Sequence, residues 1–262
     1  MLVVRKLKVM NRNIIITGGN NGFGYYLVKS LLENGNTVAV LDLNTDNLTQ
    51  LHSKKLLAIN CDLTEQLQIE TSISSIIDKW NRIDCLINNA CHVTFSHFEH
   101  KSLEDIQNEF NVNYFGHIRL IKAVLPTMQK QRYGIIYNVS SSVGISGFER
   151  ISGYASTKSA LDTLTRTLNI ELKEYNIQAK IIYPTLMNTK SALPFGIPKQ
   201  MLDNPKQIAD KIARKLFINR LIIVPDYKTC LFIFFTRLFP SFTGRILSGL
   251  TKKNMNEIIA SR

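Results

Sequence analysis

Tyr154 and Lys158 stand four residues apart in "YASTK", and three serines, Ser140 to Ser142, precede them. On a helix that spacing puts the phenol and the ammonium on one face. A phenol ordinarily titrates near pKa 10, too high for a base at neutral pH, but a cation within a few ångström favours the phenolate. Tyr154 is therefore a candidate general acid/base. A serine hydroxyl just upstream can hydrogen-bond a substrate oxygen as charge develops on it. Taken alone, a Y-x-x-x-K pair also describes an ordinary surface helix, so the chemistry depends on what accompanies it.

A second set lies near the start of the chain. "TGGNNGFG", Thr17 to Gly24, separates the apolar run "NIII" from the helical pattern "YYLVKSLL". Gly18 can make a sharp turn there, and Gly22 and Gly24 let backbone approach a pyrophosphate and let the next helix pack closely on a sheet. The N–H groups and positive dipole end of that helix suit phosphate oxygens. Glycine-rich turns also serve purely structural ends, and the T-G-x-x-x-G-x-G spacing differs from the commoner G-x-G-x-x-G. Asp42 lies 18 residues beyond Gly24, at the end of the second apolar run. A carboxylate there accepts both ribose hydroxyls of NAD and repels the 2′-phosphate of NADP. Leu43 follows it, not an arginine. NAD is the expected cofactor, ahead of NADP.

The elements that must position these residues alternate along the chain. β-Branched runs at 13–17, 37–41, 56–60, 84–89, 134–140, 178–184 and 221–225 are separated by helical patterns at 22–34, 64–80, 103–129 and 153–175. Near-continuous apolar strands alternating with helices predict a parallel sheet covered on both faces, in one doubly wound α/β domain. Ligands of such sheets bind beyond the carboxyl ends of the strands, where strand order reverses. No repeat, low-complexity tract or interdomain linker interrupts the pattern.

Composition is ordinary for a soluble globular protein: 262 residues, 45% apolar and 20% charged. The four cysteines show no C-x-x-C pairing, and "MLVVRKLKVMNRN" lacks the long apolar core of a signal peptide, which predicts a reducing cytoplasm. The outlier is a net charge of +12. Residues 199–262 hold 12 Lys+Arg against 4 Asp+Glu, and residues 1–198 hold 20 against 16, so +8 of the excess sits in the last quarter. No aromatic-basic recognition motif supports a nucleic-acid partner. His92, His97 and His100 cluster in a polar loop without the cysteines or carboxylates of a metal site, so no metal is expected.

With these motifs in order, joined by "CDL" (61–63), "NNAC" (88–91), "NVNYFG" (111–116), "NVSSS" (138–142) and "YPTLMNT" (183–189), the chain resembles the short-chain dehydrogenase/reductase family, in its shorter single-domain branch. The likeness runs from Asn13 to Thr189, and more loosely through Pro225. It implies a Rossmann-type sheet over residues 1–225 and an oxidoreductase moving hydride between a nicotinamide dinucleotide and an alcohol or ketone. Tyr154 would be the general acid/base, and Lys158 would lower its pKa and bind the nicotinamide ribose. Ser141, 13 residues before Tyr154, would hold the substrate oxygen, and Asn113 would complete a proton relay through water. Gly18, Asn21, Gly22, Phe23 and Gly24 would cradle the dinucleotide, and Asp42 its ribose. Asp62 and Leu63 would meet the adenine, Asn89 and Ala90 the adenosine ribose, and Pro184, Met187 and Thr189 the carboxamide end. The resemblance also implies a homo-oligomer.

Cys91 and Thr185 stand where the family usually has glycine, next to the cofactor. Nothing in the sequence marks Cys91 as an activated nucleophile. The segment "LMNTKSALPFGIPKQ" (186–200), with Phe148, predicts an apolar pocket suited to lipophilic alcohols or ketones. Residues 226–262 form a basic, apolar tail. Within 226–253 lie Phe232, Phe234, Phe235, Phe239 and Phe242, interspersed with Lys228, Arg237, Arg245, Lys252 and Lys253. Its longest apolar run, Cys230 to Phe235, falls far short of the roughly 20 residues that cross a bilayer, and Pro240 interrupts any single helix. Such a tail can lie on an anionic membrane, which would make the enzyme peripheral on the inner face. Folding over the pocket or into a subunit interface is the equal alternative. Two rival functions remain at this level: a non-catalytic dinucleotide-binding protein, and a membrane-surface or partner-binding protein acting through the tail.

Overall fold

The computed structural model describes residues 11–260, with side chains through Lys252. Residues 1–10, on which the signal-peptide reading rests, lie outside the described residues, as do residues 261–262 and the side chain of Lys253. Seven strands form one parallel sheet: β1 (Asn13–Thr17), β2 (Thr37–Asp42), β3 (Leu56–Asn60), β4 (Cys85–Asn88), β5 (Gly134–Val139), β6 (Ile177–Ile182) and β7 (Ile222–Ile223). Their order is β3-β2-β1-β4-β5-β6-β7.

Successive side chains of a strand face opposite ways, and here both ways are buried. Ile14 and Ile16 enter one core while Ile15 enters the other, and Val38 and Val40 part from Ala39 in the same manner. One layer consists of α1 (Gly22–Glu33) and α7 (Pro205–Lys215), which bring Leu27, Val28, Ile208 and Ile212 to the sheet. On the opposite face α2 (Gln66–Trp80) and α4 (His117–Gln131) bring Ile69, Ile73, Leu120 and Val124.

The chain runs outward through β1, β2 and β3, then returns to lay β4 on the other side of β1. The loops after β1 and β4 therefore diverge at the reversal point, where a crevice opens. Before α4, α3 (Leu103–Phe110) leads through one turn of π-helix (Asn111–Gly116). Such wide turns recur at functional sites. Beyond β5 come the short α5 (Val143–Ser146) and the long α6 (Ser152–Glu171). After β7, Asp226 caps α8 (Tyr227–Leu238) by accepting from the Thr229 N–H at 3.1 Å, and α9 (Pro240–Ala260) follows. Pro240 ends the first of these helices and starts the second, which meet at 114°.

Candidate active site

Gly18 and Gly22 have φ of +65° and +55°, the left-handed region that a side chain disfavours. Space is as restrictive as conformation. A Cβ on Gly18 would lie 2.7 Å from Ala90 Cα, and one on Gly24 only 2.0 Å from the Gly18 carbonyl oxygen. Gly19, to which the sequence reading gave no role, is closed in by Val40 at 2.6 Å. Helix α1 then begins at Gly22 without a side-chain cap, because the Asn21 amide oxygen instead accepts from Asn47 Nδ2 at 3.0 Å. Its first-turn N–H groups are left for an outside acceptor. A bare glycine cradle in front of uncapped N–H donors fits the pyrophosphate of a dinucleotide.

Neighbouring residues brace this cradle. Asp42 accepts from the Asn20 N–H at 2.9 Å, which ties the end of β2 to the glycine loop. Asn20 also donates to Asn44 Oδ1, and Asn44 donates to Asp46, so two carboxylates and no Lys or Arg make up this corner among the described hydrogen bonds. Asn89 donates from Nδ2 to the carbonyls of Thr17 and Gly18, and the N–H groups of Asn89 and Ala90 both reach Thr17 Oγ1 at 2.9 Å. The "NNAC" loop is thus stapled to the turn after β1. Asp62 spends Oδ1 on the N–H and hydroxyl of Thr64. Phe23 and Leu63 turn their side chains into the core, leaving only backbone groups for a ligand. Thr189 packs over Gly22, with Cγ2 at 3.3 Å from the site of a Cβ, and so lies against the glycine loop. Met187 pairs with Asp203 in an isolated bridge just past Pro184 and Thr185, and the Thr185 hydroxyl is buried without a partner.

Across the crevice, the Ser141 hydroxyl lies beside the Tyr154 phenol and favours its ionised form. Burial raises the pKa of Tyr154; Cys91 and Glu109 raise it further, and Ser141 alone opposes them. Lys158 is buried, donates to the Val139 carbonyl at 2.8 Å and lies 5.6 Å from the centre of the Tyr154 ring. Burial lowers its own pKa against the pull of Cys91 and Asp162. In the chain by itself burial holds the phenol protonated, with the Lys158 ammonium bonded to a carbonyl and placed over the Tyr154 ring.

Asn113 is held on both ends of its side-chain amide. Its Oδ1 accepts from the His92 N–H at 2.7 Å, and its Nδ2 donates to the His92 carbonyl at 2.8 Å and to Thr157 Oγ1 at 3.2 Å. Fully buried, its side chain ties the loop after β4 to α6.

Two buried groups escaped the sequence reading altogether. Glu109 accepts from the N–H and hydroxyl of Thr94 and from Lys101 Nζ at 2.9 Å, while Oε2 has no partner and presses on Gly153. A Cβ on Gly153 would lie 1.9 Å from that oxygen, one residue before Tyr154. His117 donates from Nε2 to the Ala90 carbonyl at 3.1 Å, and its Nδ1 is unpartnered. Burial, with help from the Lys158 charge, pushes its pKa down to about 3. No sequence spacing announces either group, since folding alone assembles their partners.

Beside Tyr154 lies an apolar cluster. Phe195 packs edge-on to Tyr154 at 5.9 Å and to Phe95 at 4.7 Å, and Phe148 lies 5.9 Å from Phe195. Of the expected wall, Phe195 and Phe148 do pack together, and Phe95 joins them unforeseen. Cys91 is exposed at the mouth, and all four cysteines are unpaired. Among the described residues, no three His, Cys, Asp or Glu side chains gather as metal ligands.

A family model described as short chain dehydrogenase matches residues 12–195. A fatty acyl-CoA reductase of Acinetobacter baylyi is 28% identical over 91% of this chain and 88% of its own. The solved structure of a 3-ketoacyl-(acyl-carrier-protein) reductase from Brucella melitensis, complexed with NADH, superposes with a TM-score of 0.75 at 20% identity, over 83% of this chain and 97% of that one. ElxO with NADP bound gives a TM-score of 0.74 at 25% identity, over 83% and 98%.

Proposed function

The chain belongs to the short-chain dehydrogenase/reductase family and is a nicotinamide-dinucleotide-dependent oxidoreductase, and on that premise we propose that it transfers hydride between NAD and a lipophilic alcohol or ketone, with Tyr154 as the general acid/base. The observation that carries this reading is the convergence of Ser141, the Tyr154 phenol and buried Lys158, with Phe195 edge-on to the Tyr154 ring. When bound, the nicotinamide supplies or accepts the hydride.

The chain's residues supply alignment and the proton path. The Ser141 hydroxyl holds the substrate oxygen where the Tyr154 phenol can reach it. In the reducing direction Tyr154 gives its proton to the oxygen that becomes the alcohol; in the oxidising direction it takes that proton back. The protonated resting phenol is the form that reduction needs. Phe95, Phe148 and Phe195 exclude water from this path and receive the apolar part of the substrate. The relative named as a fatty acyl-CoA reductase supports a lipophilic substrate. Asp42, with Asp46 in the same hydrogen-bonded corner and no cation bonded to it, supports NAD over NADP.

The four unpaired cysteines support a cytoplasmic setting. Exposed Phe115 and Ile170, on adjoining helical segments, support a homo-oligomer.

Steady-state kinetics with NAD and NADP against a homologous series of primary alcohols and methyl ketones test the proposal. kcat/KM is expected to rise about fourfold for each added CH₂ that enters the apolar wall, and to favour NAD. Asp42→Ala should narrow that preference. A wild-type kcat/KM higher with NADP, or no dependence on chain length, would overturn the corresponding part.

A further inference from the structure

Helices α8 and α9 are inside-out for a protein surrounded by water. The side chains they turn to the body include Thr229, Thr236, Thr243 and Thr251, accompanied by Ile233 and Leu247. Those they turn outward include Phe234, Phe239 and Phe242, at 62%, 52% and 55% exposure, with Leu231, Leu238 and Ile246 beside them. An ordinary surface helix does the reverse. At the elbow, Phe235 stacks on Phe239 at 5.1 Å and on Phe242 at 6.1 Å, which gathers the aromatic rings into one projecting knot. Contiguous exposed apolar surface of this kind marks a binding face.

Charge says what covers it. No Asp or Glu occurs between Asp226 and Glu257, whereas Lys228, Arg237, Arg245 and Lys252 do. Arg237 leans over the Tyr183 ring at 5.9 Å, so it belongs to the body. The other three form no ion pair among the described residues. A two-fold contact between copies would set these cations against themselves with no carboxylate from the segment to answer them. A sheet of anionic headgroups over hydrocarbon answers both the charge and the apolar surface. No single described helix is long and apolar enough to cross a membrane, and the 114° bend suits a wedge that enters only the interface.

We infer that the α8–α9 elbow docks on an anionic bilayer, with its phenylalanines in the interface and Lys228, Arg245 and Lys252 on the headgroups. The docked face adjoins the substrate wall. Gly244 packs so closely on residues 146–147 that a Cβ there would lie 2.9 Å from both carbonyl oxygens, and Ser248 Oγ accepts from the Glu149 N–H at 3.1 Å. Between them opens a trough of about 480 Å³ lined by Phe148, Glu149, Arg245 and Lys252, in which Glu149 is the sole carboxylate. Docking itself is independent of the hydride-transfer reading; delivery of lipophilic substrate from the bilayer to Phe148 rests on it.

Co-sedimentation with phosphatidylcholine vesicles, with and without phosphatidylglycerol, tests docking without any assay of turnover. The full chain should pellet with phosphatidylglycerol vesicles at low salt and be largely released at high salt. Lys228→Gln, Arg245→Gln and Lys252→Gln combined should lower the low-salt partition coefficient about a hundredfold. Phe234→Ser, Phe239→Ser and Phe242→Ser combined should stay in the supernatant while keeping the wild-type melting temperature. If that variant fails to fold, Phe234→Ser alone should weaken partitioning about tenfold. Wild-type protein left in the supernatant at low salt overturns the inference, as does a serine variant that pellets like wild type. Self-association that vanishes in the serine variant, without vesicle binding by wild type, would overturn it in favour of an interface between copies.

Discussion

On the dinucleotide side, the working surface is backbone: Gly18, Gly22 and Gly24 bare it, α1 offers uncapped N–H groups, and Asn89 and Thr17 lock the loops with hydrogen bonds. On the proposed substrate side, the working surface is side chains: Phe95 and Phe195 join Ser141, Phe148, Tyr154 and Lys158 from the stretch 141–158. The first kind of site leaves no room for an added atom at Gly18 or Gly24, where backbone closes the space; the second is walled by side chains. That difference explains how one sheet can keep a cofactor and change its substrate.

The sharpest break of the first half is Gly24→Ala, whose methyl would stand 2.0 Å from a backbone carbonyl oxygen. Nothing flexible can yield there, and a loss of about 3 kcal/mol or more is expected, read as unfolding or as loss of dinucleotide binding. Gly249→Ala is the control. Its Cβ meets nothing within 4 Å inside α9, and it should gain up to about 1 kcal/mol by urea unfolding. Equal effects of the two would show that the cradle is not sterically closed.

His117 sits where the halves meet, bonded to Ala90 and depressed in part by Lys158. Its folded pKa of about 3 lies below the ordinary histidine value of 6.5, so the unfolded chain binds the extra proton between those values. Stability is therefore complete above the unfolded pKa and falls as pH drops below it. From pH 7 to pH 5 the loss from this group is about 2 kcal/mol. Urea unfolding of wild type and His117→Leu at both pH values checks this, and parallel pH slopes would contradict it.

A smaller effect probes the second half. Phe195→Ala should lower kcat/KM for long-chain substrates about tenfold, by removing one apolar wall, while short substrates and dinucleotide affinity change little. A loss of dinucleotide affinity instead would place Phe195 in the cofactor half.

The two halves were also unequally legible in the sequence. A strand buried on both faces writes a continuous apolar run, so β1 to β7 could be placed almost to the residue. Glycines forced by a close backbone approach are equally plain, although Gly19 was passed over because its neighbour Val40 arrives from another strand. Helix α7 was missed despite the start signal of Asn204 before Pro205, since its four apolar positions are thin against five charges. The Glu109–Lys101 pair and the resting state of Tyr154 were not legible, because a pKa depends on burial that spacing does not encode. The tail's composition was plain, but the face that turns outward is decided only when Thr229, Thr236 and Thr243 pack against the body.

The central claim is that Tyr154 moves the proton while the glycine side independently holds the dinucleotide. Tyr154→Phe, assayed for steady-state turnover alongside dinucleotide titration by fluorescence, tests both clauses together. The account predicts kcat/KM lower by about 10²- to 10⁴-fold with the dinucleotide Kd nearly unchanged. Turnover close to wild type in that variant would contradict it.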